Sequence, residues 1–367
     1  MAQVAVPAAF WRGGTSRAVL FKQEDLAAFD ARQRDRIVLA ALGSPDPGGR
    51  QVDGLGGGIS SLSKVCVLGW TDEEVTFTFG QVDVLQPVVD WQGTCGNMSA
   101  AVGPFAIDAG WVIPHSGVTE VRVLATNVDK RYIAQVPTPG GDLAVEGDYS
   151  IDGVPGPGAR IGLKWLDPGG TQGRGALPTG QVCQQVDGVE VSIVDVSNPM
   201  VFLRASDVGL AGTESPIQIE AQTDVMARLE SIRGAAAELI GLGGVQAIPK
   251  IAVLAPSTDN TVDIIARAVS MQRIHRTFPA TGAMCLAAAV ALPGTIANAL
   301  ATQSSDVERS VRIRHAAGVM GIGVEVARHH EDWIVCSATT SRTARKIMDG
   351  HVYVPSGYLE KTTWFDR

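Results

Sequence analysis

Cysteine is scarce and poorly placed for pairing. Only five occur in 367 residues, Cys66, Cys95, Cys183, Cys285 and Cys336, an odd number with no Cys-x-x-Cys pair. That argues against a disulfide framework or a structural zinc site, and for a reducing, cytoplasmic compartment. No apolar run approaches the ~20 residues that a membrane span requires; residues 283–292 are apolar but too few. Residues 1–10 lack the basic segment of a signal peptide. Blocks of like charge are also missing, and a net charge of −8 gives no footprint for nucleic acid or a membrane surface. Any anionic substrate must therefore be held by local positive potential.

Glycine is plentiful. The 42 glycines fall in short runs, which suits tight turns and anion-cradling loops rather than a repetitive chain. The length exceeds one ordinary core, so two domains are expected. Apolar alternation and β-branched residues predict strands over 3–10, 18–21, 64–70, 75–79, 82–89, 120–125, 132–136, 161–165, 189–196 and 250–254. Helical spacing is clearest over 27–41, 97–109, 220–240, 283–290 and 343–349. Strands in series with an occasional helix indicate an α+β fold, each lobe a curved sheet around a helix. The first lobe is expected over 1–118 plus 347–367, with the chain returning a last strand near 352–355, and the second over 119–346.

A weak internal repeat supports two lobes. Residues 10–21 and 194–203 both run strand, polar turn, strand. Some way after each comes a small-residue loop opening an Ala-rich helix, Thr94-Cys95-Gly96-Asn97-Met98 and Thr281-Gly282-Ala283-Met284. A pseudo-twofold axis would set the two helix heads face to face across a cleft.

Cys95 is the leading chemical candidate. First-turn amides lack intrahelical acceptors and carry partial positive charge, so a thiol there ionises more easily and a carboxylate docks beside it. The other cysteines read as small buried hydrophobes. Residues 51–64, Gln-Val-Asp-Gly-Leu-Gly-Gly-Gly-Ile-Ser-Ser-Leu-Ser-Lys, fit neither a dinucleotide fingerprint nor a P-loop. They form an anion-binding loop with hydroxyls at Ser60, Ser61 and Ser63, ending in Lys64. Apolar neighbours half-bury that lysine, and burial favours the neutral amine, a base. A plain surface lysine is the competing reading of this segment.

Four motifs in order, Arg12-Gly-Gly-Thr-Ser-Arg17, Val52 to Lys64, Cys95-Gly-Asn-Met-Ser-Ala-Ala-Val-Gly-Pro104 and Ala280-Thr-Gly-Ala-Met284, resemble the PrpF family. That family includes 2-methylaconitate and 3-methylitaconate isomerases and 4-oxalomesaconate tautomerase. The resemblance implies a diaminopimelate epimerase-like fold with two pseudo-symmetric lobes. It also implies a cofactor-free allylic proton shift, or cis/trans change, on an unsaturated di- or tricarboxylate, with Lys64 as base and Cys95 assisting. Epimerases of this fold use two thiols; here the second position is read as Met284, a thioether that transfers no proton. The wider substrate-binding set is Thr15, Ser16, Arg17, Ser60, Ser61, Gly96, Asn97, Met98, Asn198, Arg276, Thr281, Gly282, Ala283 and Met284, with Met98 and Met284 chiefly packing. Arg17 replaces the family's usual lysine, and Arg12 and His275 are further candidates. His329 and His330 are adjacent and badly disposed for one metal, so no metal is expected. The expected partner is a small polycarboxylate, with a homodimer as the candidate assembly. The competing functions are an amino-acid epimerase or racemase and a carboxylate-binding accessory protein to an aconitase-like enzyme.

Overall fold

The computed structural model describes residues 3–71, 73–302, 308–329 and 332–360. The first part of the chain forms β1 (Gln3–Gly13), β2 (Ser16–Lys22), α1 (Ala31–Leu42), β3 (Lys64–Trp70), β4 (Val75–Val82), β5 (Val89–Asp90), α2 (Ser99–Asp108), β6 (Gly117–Ala125), β7 (Lys130–Thr138) and β8 (Ile161–Leu166). Then follow β9 (Gln184–Val186), β10 (Val189–Val196), β11 (Asn198–Arg204), α3 (Pro216–Glu220), α4 (Thr223–Leu239), β12 (Lys250–Ala255), β13 (Ile264–Ser270), β14 (Arg273–Ile274), α5 (Ala280–Ala291) and α6 (Ile296–Leu300). The chain closes with β15 (Glu308–His315), β16 (Gly318–His329), β17 (Asp332–Arg342), β18 (Ala344–Pro355) and α7 (Ser356–Glu360).

The strands pair into one ribbon that curls twice, first around α2 and then around α5. Both central helices are built largely from Ala, Gly and other small residues and are buried on nearly every side, so the sheets approach closely all round. The lobes share a plan. In each, a hairpin (β1–β2 or β10–β11) is followed by an outer crossover helix and a strand parallel to the hairpin's second strand, β2–β3 and β11–β12. Side chains alternate across these strands. Ala18, Leu20, Cys66, Leu68, Ala252 and Leu254 face the central core. Val19, Phe21 and Val65 pack outward under α1, and Ile251 and Val253 outward under α4.

The α+β, two-lobe architecture is present. The sheet around α2 continues past the expected border at residue 118: β6 pairs with β4, and β7 and β8 follow. The changeover comes where β8 pairs with β17. β18 returns to the first lobe by pairing with β1, Val4 opposite Val354 and Arg12 opposite Arg345. Residues 344–349 of the segment expected as helix over 343–349 belong to this strand. Their spacing suits a helix, but the edge of β1 offers a full ladder of partners and tertiary pairing decides. The expected strand over 82–89 shrinks to Val89–Asp90, because Asp83 Oδ1 accepts the Leu85 and Gln86 amides at 2.7 and 2.9 Å and turns the chain. Residues 361–367 of the expected first lobe lie outside the described residues.

Candidate active site

The heads of α2 and α5 meet between the lobes. Gly96 makes the meeting feasible: a Cβ there would lie 2.9 Å from the Thr281 nitrogen and 3.0 Å from Ala280 Cβ. The first intrahelical acceptor in α5 serves Ala283, whose N–H reaches Pro279 O at 2.8 Å, so the preceding amides point out of the helix head. Around these heads lies a small cavity of about 20 Å³, lined by Ser16, Ser60, Lys64, Gln81, Cys95, Asn97, Lys250, Ser270, His275 and Thr281 among others. Ser60 and Ser270 also line a wider adjoining cavity of about 520 Å³. Among the described residues no Asp or Glu lines the small cavity.

Lys64 opens β3 on its inner face and is 7% exposed. Its Nζ donates to Gln81 Oε1 at 2.5 Å and lies 5.0 Å from the Phe79 ring centroid. Gln81 Nε2 is committed to Ser60 O and Ser63 O at 3.1 and 2.9 Å, which turns its oxygen to the lysine. Burial pushes the Lys64 amine below its ordinary range, with Cys95 and Cys66 acting the other way. The buried Cys66 thiol is itself pushed well up and stays neutral.

His275 is driven to about 3 by burial, then by Lys64 and Lys250. The Thr277 amide donates to its Nδ1 at 3.2 Å, so the ring is a neutral Nε2–H tautomer, a donor. The Ser16 Oγ and Thr94 Oγ1 hydroxyls line the cavity and are buried without a protein partner.

The structure sets several expected residues elsewhere. Arg17 lies on the outer face of β2, its guanidinium 5.4 Å from the Phe10 ring; alternation after Ser16 requires it. Arg276 pairs with Glu220 at 2.9 Å and is largely open to solvent, while Arg12 is spent on Gly14 O and Thr343 O, both at 2.9 Å. Ser61 stands behind Ser60 in a 3-10 turn, outside the lining. Asn198 is fully buried, yet its amide is consumed by Thr94 N and O at 3.0 and 2.7 Å and by Thr281 Oγ1 at 3.2 Å. It positions the loop before Cys95. Thr15 bridges the lobes through Thr277 Oγ1 at 3.0 Å and receives Asn97 Nδ2 at 3.1 Å. Met98, Ala283 and Met284 are core residues, and Gly282 faces Met200 and Phe278. Opposite Cys95 the α5 head therefore presents Thr281, not Met284. Cys285 gives its thiol hydrogen to Val194 O at 3.2 Å, so no second thiol faces the cavity.

Thr94 was named only as part of the helix-head loop, and Gln81, Lys250 and Ser270 line the cavity without having been singled out. Nor was Arg342, a buried guanidinium whose Nε donates to Asn97 Oδ1 at 3.1 Å and which has no acidic partner among the described residues. Lys250 had a signal. Lys64-Val-Cys-Val-Leu and Lys250-Ile-Ala-Val-Leu share a pattern, and Lys64 precedes Cys95 by the same 31 residues that separate Lys250 from Thr281. Among the described residues no group of three His, Cys, Asp or Glu is arranged to hold a metal, and His330 lies outside them.

The PrpF protein family model matches residues 3–355. The chain belongs to the PrpF family. It is 38% identical to the 3-methylitaconate isomerase of Eubacterium barkeri over 97% of this chain and 99% of that protein. It is 36% identical to the 2-methyl-aconitate isomerase of Cupriavidus necator, covering 96% of this chain and 98% of the relative. The crystal structure of methylitaconate-delta-isomerase superposes with a TM-score of 0.73 at 36% identity, with 99% of each chain covered. This PrpF-family chain spans 98% and 99% of the length of these two relatives.

Proposed function

We propose that this PrpF-family protein is an isomerase moving an allylic proton on an unsaturated di- or tricarboxylate such as 2-methylaconitate, 4-oxalomesaconate or aconitate, in a reducing cytoplasm. One observation carries the reading. The buried Lys64, the half-buried Lys250, a thiol and two helix heads converge on a cavity lined by no acid among the described residues, inside a protein whose net charge is negative. Such a site repels cations and attracts carboxylates.

In this reading Lys64, as the neutral amine, takes the proton next to a conjugated carboxylate. Charge spreads into a dienolate, stabilised by amides at the heads of α2 and α5, the free hydroxyls of Ser16 and Thr94 and the His275 Nε2–H. Delivery of a proton to the far end of the allylic unit, with Cys95 assisting, moves the double bond. Two-thiol epimerisation lacks its second thiol. The test is proton NMR of a panel of aconitate-like acids with the protein in deuterium oxide. Deuterium entering an allylic position together with bond migration is expected. Binding with no exchange would instead favour an accessory carboxylate-binding role, and exchange at a stereocentre without bond migration an epimerase.

A further inference from the structure

Each lobe sends one lysine into the cavity, and the two occupy equivalent places. Lys64 is the first residue of β3, which runs parallel to β2; Lys250 is the first residue of β12, which runs parallel to β11. Gln81 stands across from Lys64 on β4. In the continuing register of β12 and β13 Ser270 stands across from Lys250, and all four residues line the cavity. Lys250 and the residues that alternate with it, Ala252 and Leu254, face the central core, as Lys64, Cys66 and Leu68 do. The internal repeat thus extends to a chemical group.

We propose that Lys250 is the second-lobe counterpart of Lys64 and the ammonium that binds a substrate carboxylate across the cavity. The inference rests on the isomerase reading for its kinetics, but not for its binding. Lys250 Nζ donates to Ala247 O at 3.1 Å, which leaves two donors for a ligand. The nearby Asp90 does not neutralise it by a salt bridge, since its carboxylate is engaged by the Ala247 and Gln92 amides at 3.0 and 2.9 Å. The charged and titratable groups around it are Lys64 from β3, Cys95 from the head of α2, His275 after β14 and Asp90 on β5. Burial and then Lys64 bring Lys250 down to about 8, with Cys95 and Asp90 opposing. Two lysines in one small site do not both hold protons comfortably. A carboxylate seated on Lys250 fixes the proton there, and the like charge keeps Lys64 in its basic form. The lysines divide the work, one anchoring and one abstracting.

The experiment is calorimetric titration of the intact protein with trans-aconitate, alongside kcat, KM and pH profiles on whichever acid the wild type turns over. Lys250→Met is expected to weaken aconitate binding at least tenfold and to raise KM more than it lowers kcat. Without the neighbouring charge Lys64 protonates more readily, so the acidic limb of kcat/KM moves to higher pH. Lys250→Arg should restore binding to within a few-fold. Lys250→Gln, which retains a donor for Ala247 O, carries the same test if the methionine variant does not fold. Unchanged binding and an unmoved acidic limb in a folded Lys250→Met or Lys250→Gln protein would overturn the proposal. A wild type that binds aconitate through Lys250 but exchanges no proton would support the anchor and defeat the isomerase reading alone.

Discussion

At the residue scale the account depends on how a lysine is made basic. Lys64 is buried beside an aromatic face, with a single neutral acceptor in Gln81. Replacing it by Met removes the proposed base while leaving a stem of similar length. Turnover is expected to fall by about 10²–10⁴, the usual worth of a positioned general base, with circular dichroism and melting behaviour retained. Gln81→Glu tests the environment rather than the base. A carboxylate in that place stabilises the ammonium, so the acidic limb of the pH–rate profile should move to higher pH. An unmoved limb would show that Gln81 does not set the state of Lys64. Lys64 was legible in the sequence because apolar neighbours flank it at a strand start. Arg17 and Arg276 were misleading for a physical reason: charge alone does not say which face of a strand a residue takes, or whether an acid such as Glu220 claims it first.

At the element scale the site exists because two helix heads come together. Gly96 is the contact point, and a methyl group there collides with the backbone nitrogen of Thr281. Gly96→Ala should force the heads apart at a cost of about 1–3 kcal/mol, in line with overpacking. Activity should be lost well before the fold, read as a collapse in kcat/KM with a modest fall in Tm. Most first-lobe strands and the central helices were readable from periodicity, β3 and β10 to the residue, whereas β13 and β15–β17, which complete the sheet around α5, were not anticipated. The failures came where partners overrule pattern. β18 is a strand because β1 needs an edge partner, and β5 is a stub because Asp83 turns the chain. The repeat was visible as paired turns and paired glycine loops, whereas its lysine pair shows in a spacing, 31 residues before each helix head, and not in those turns or loops.

At the scale of the whole molecule, the cleft costs stability to keep. His275 is neutral in the folded protein, brought to about 3, and His315 to about 4, chiefly by burial. Both lie below the unfolded value of about 6.5. Their contribution is therefore intact above pH ~6.5, and it is lost as the pH falls toward 3, at up to about 1.4 kcal/mol per unit for each histidine. Melting temperature measured against pH should drop across that window, and His275→Gln should flatten part of the drop. The cavity of about 20 Å³ holds little more than one water molecule. A polycarboxylate is expected to enter along the side where Ser60 and Ser270 meet the larger cavity. The two-lobe plan was legible from the repeat, whereas the degree of closure follows from packing between distant segments such as Thr15 and Thr277.

The most direct test of a neutral Lys64 is an NMR titration of protein labelled at the lysine ε-carbons, with the resonance assigned by its disappearance in Lys64→Met. A midpoint clearly below the ordinary 10.5 of lysine, rising both in Lys250→Met and when Gln81 is replaced by Glu, is the predicted result. A Lys64 that titrates at the ordinary value would contradict the account.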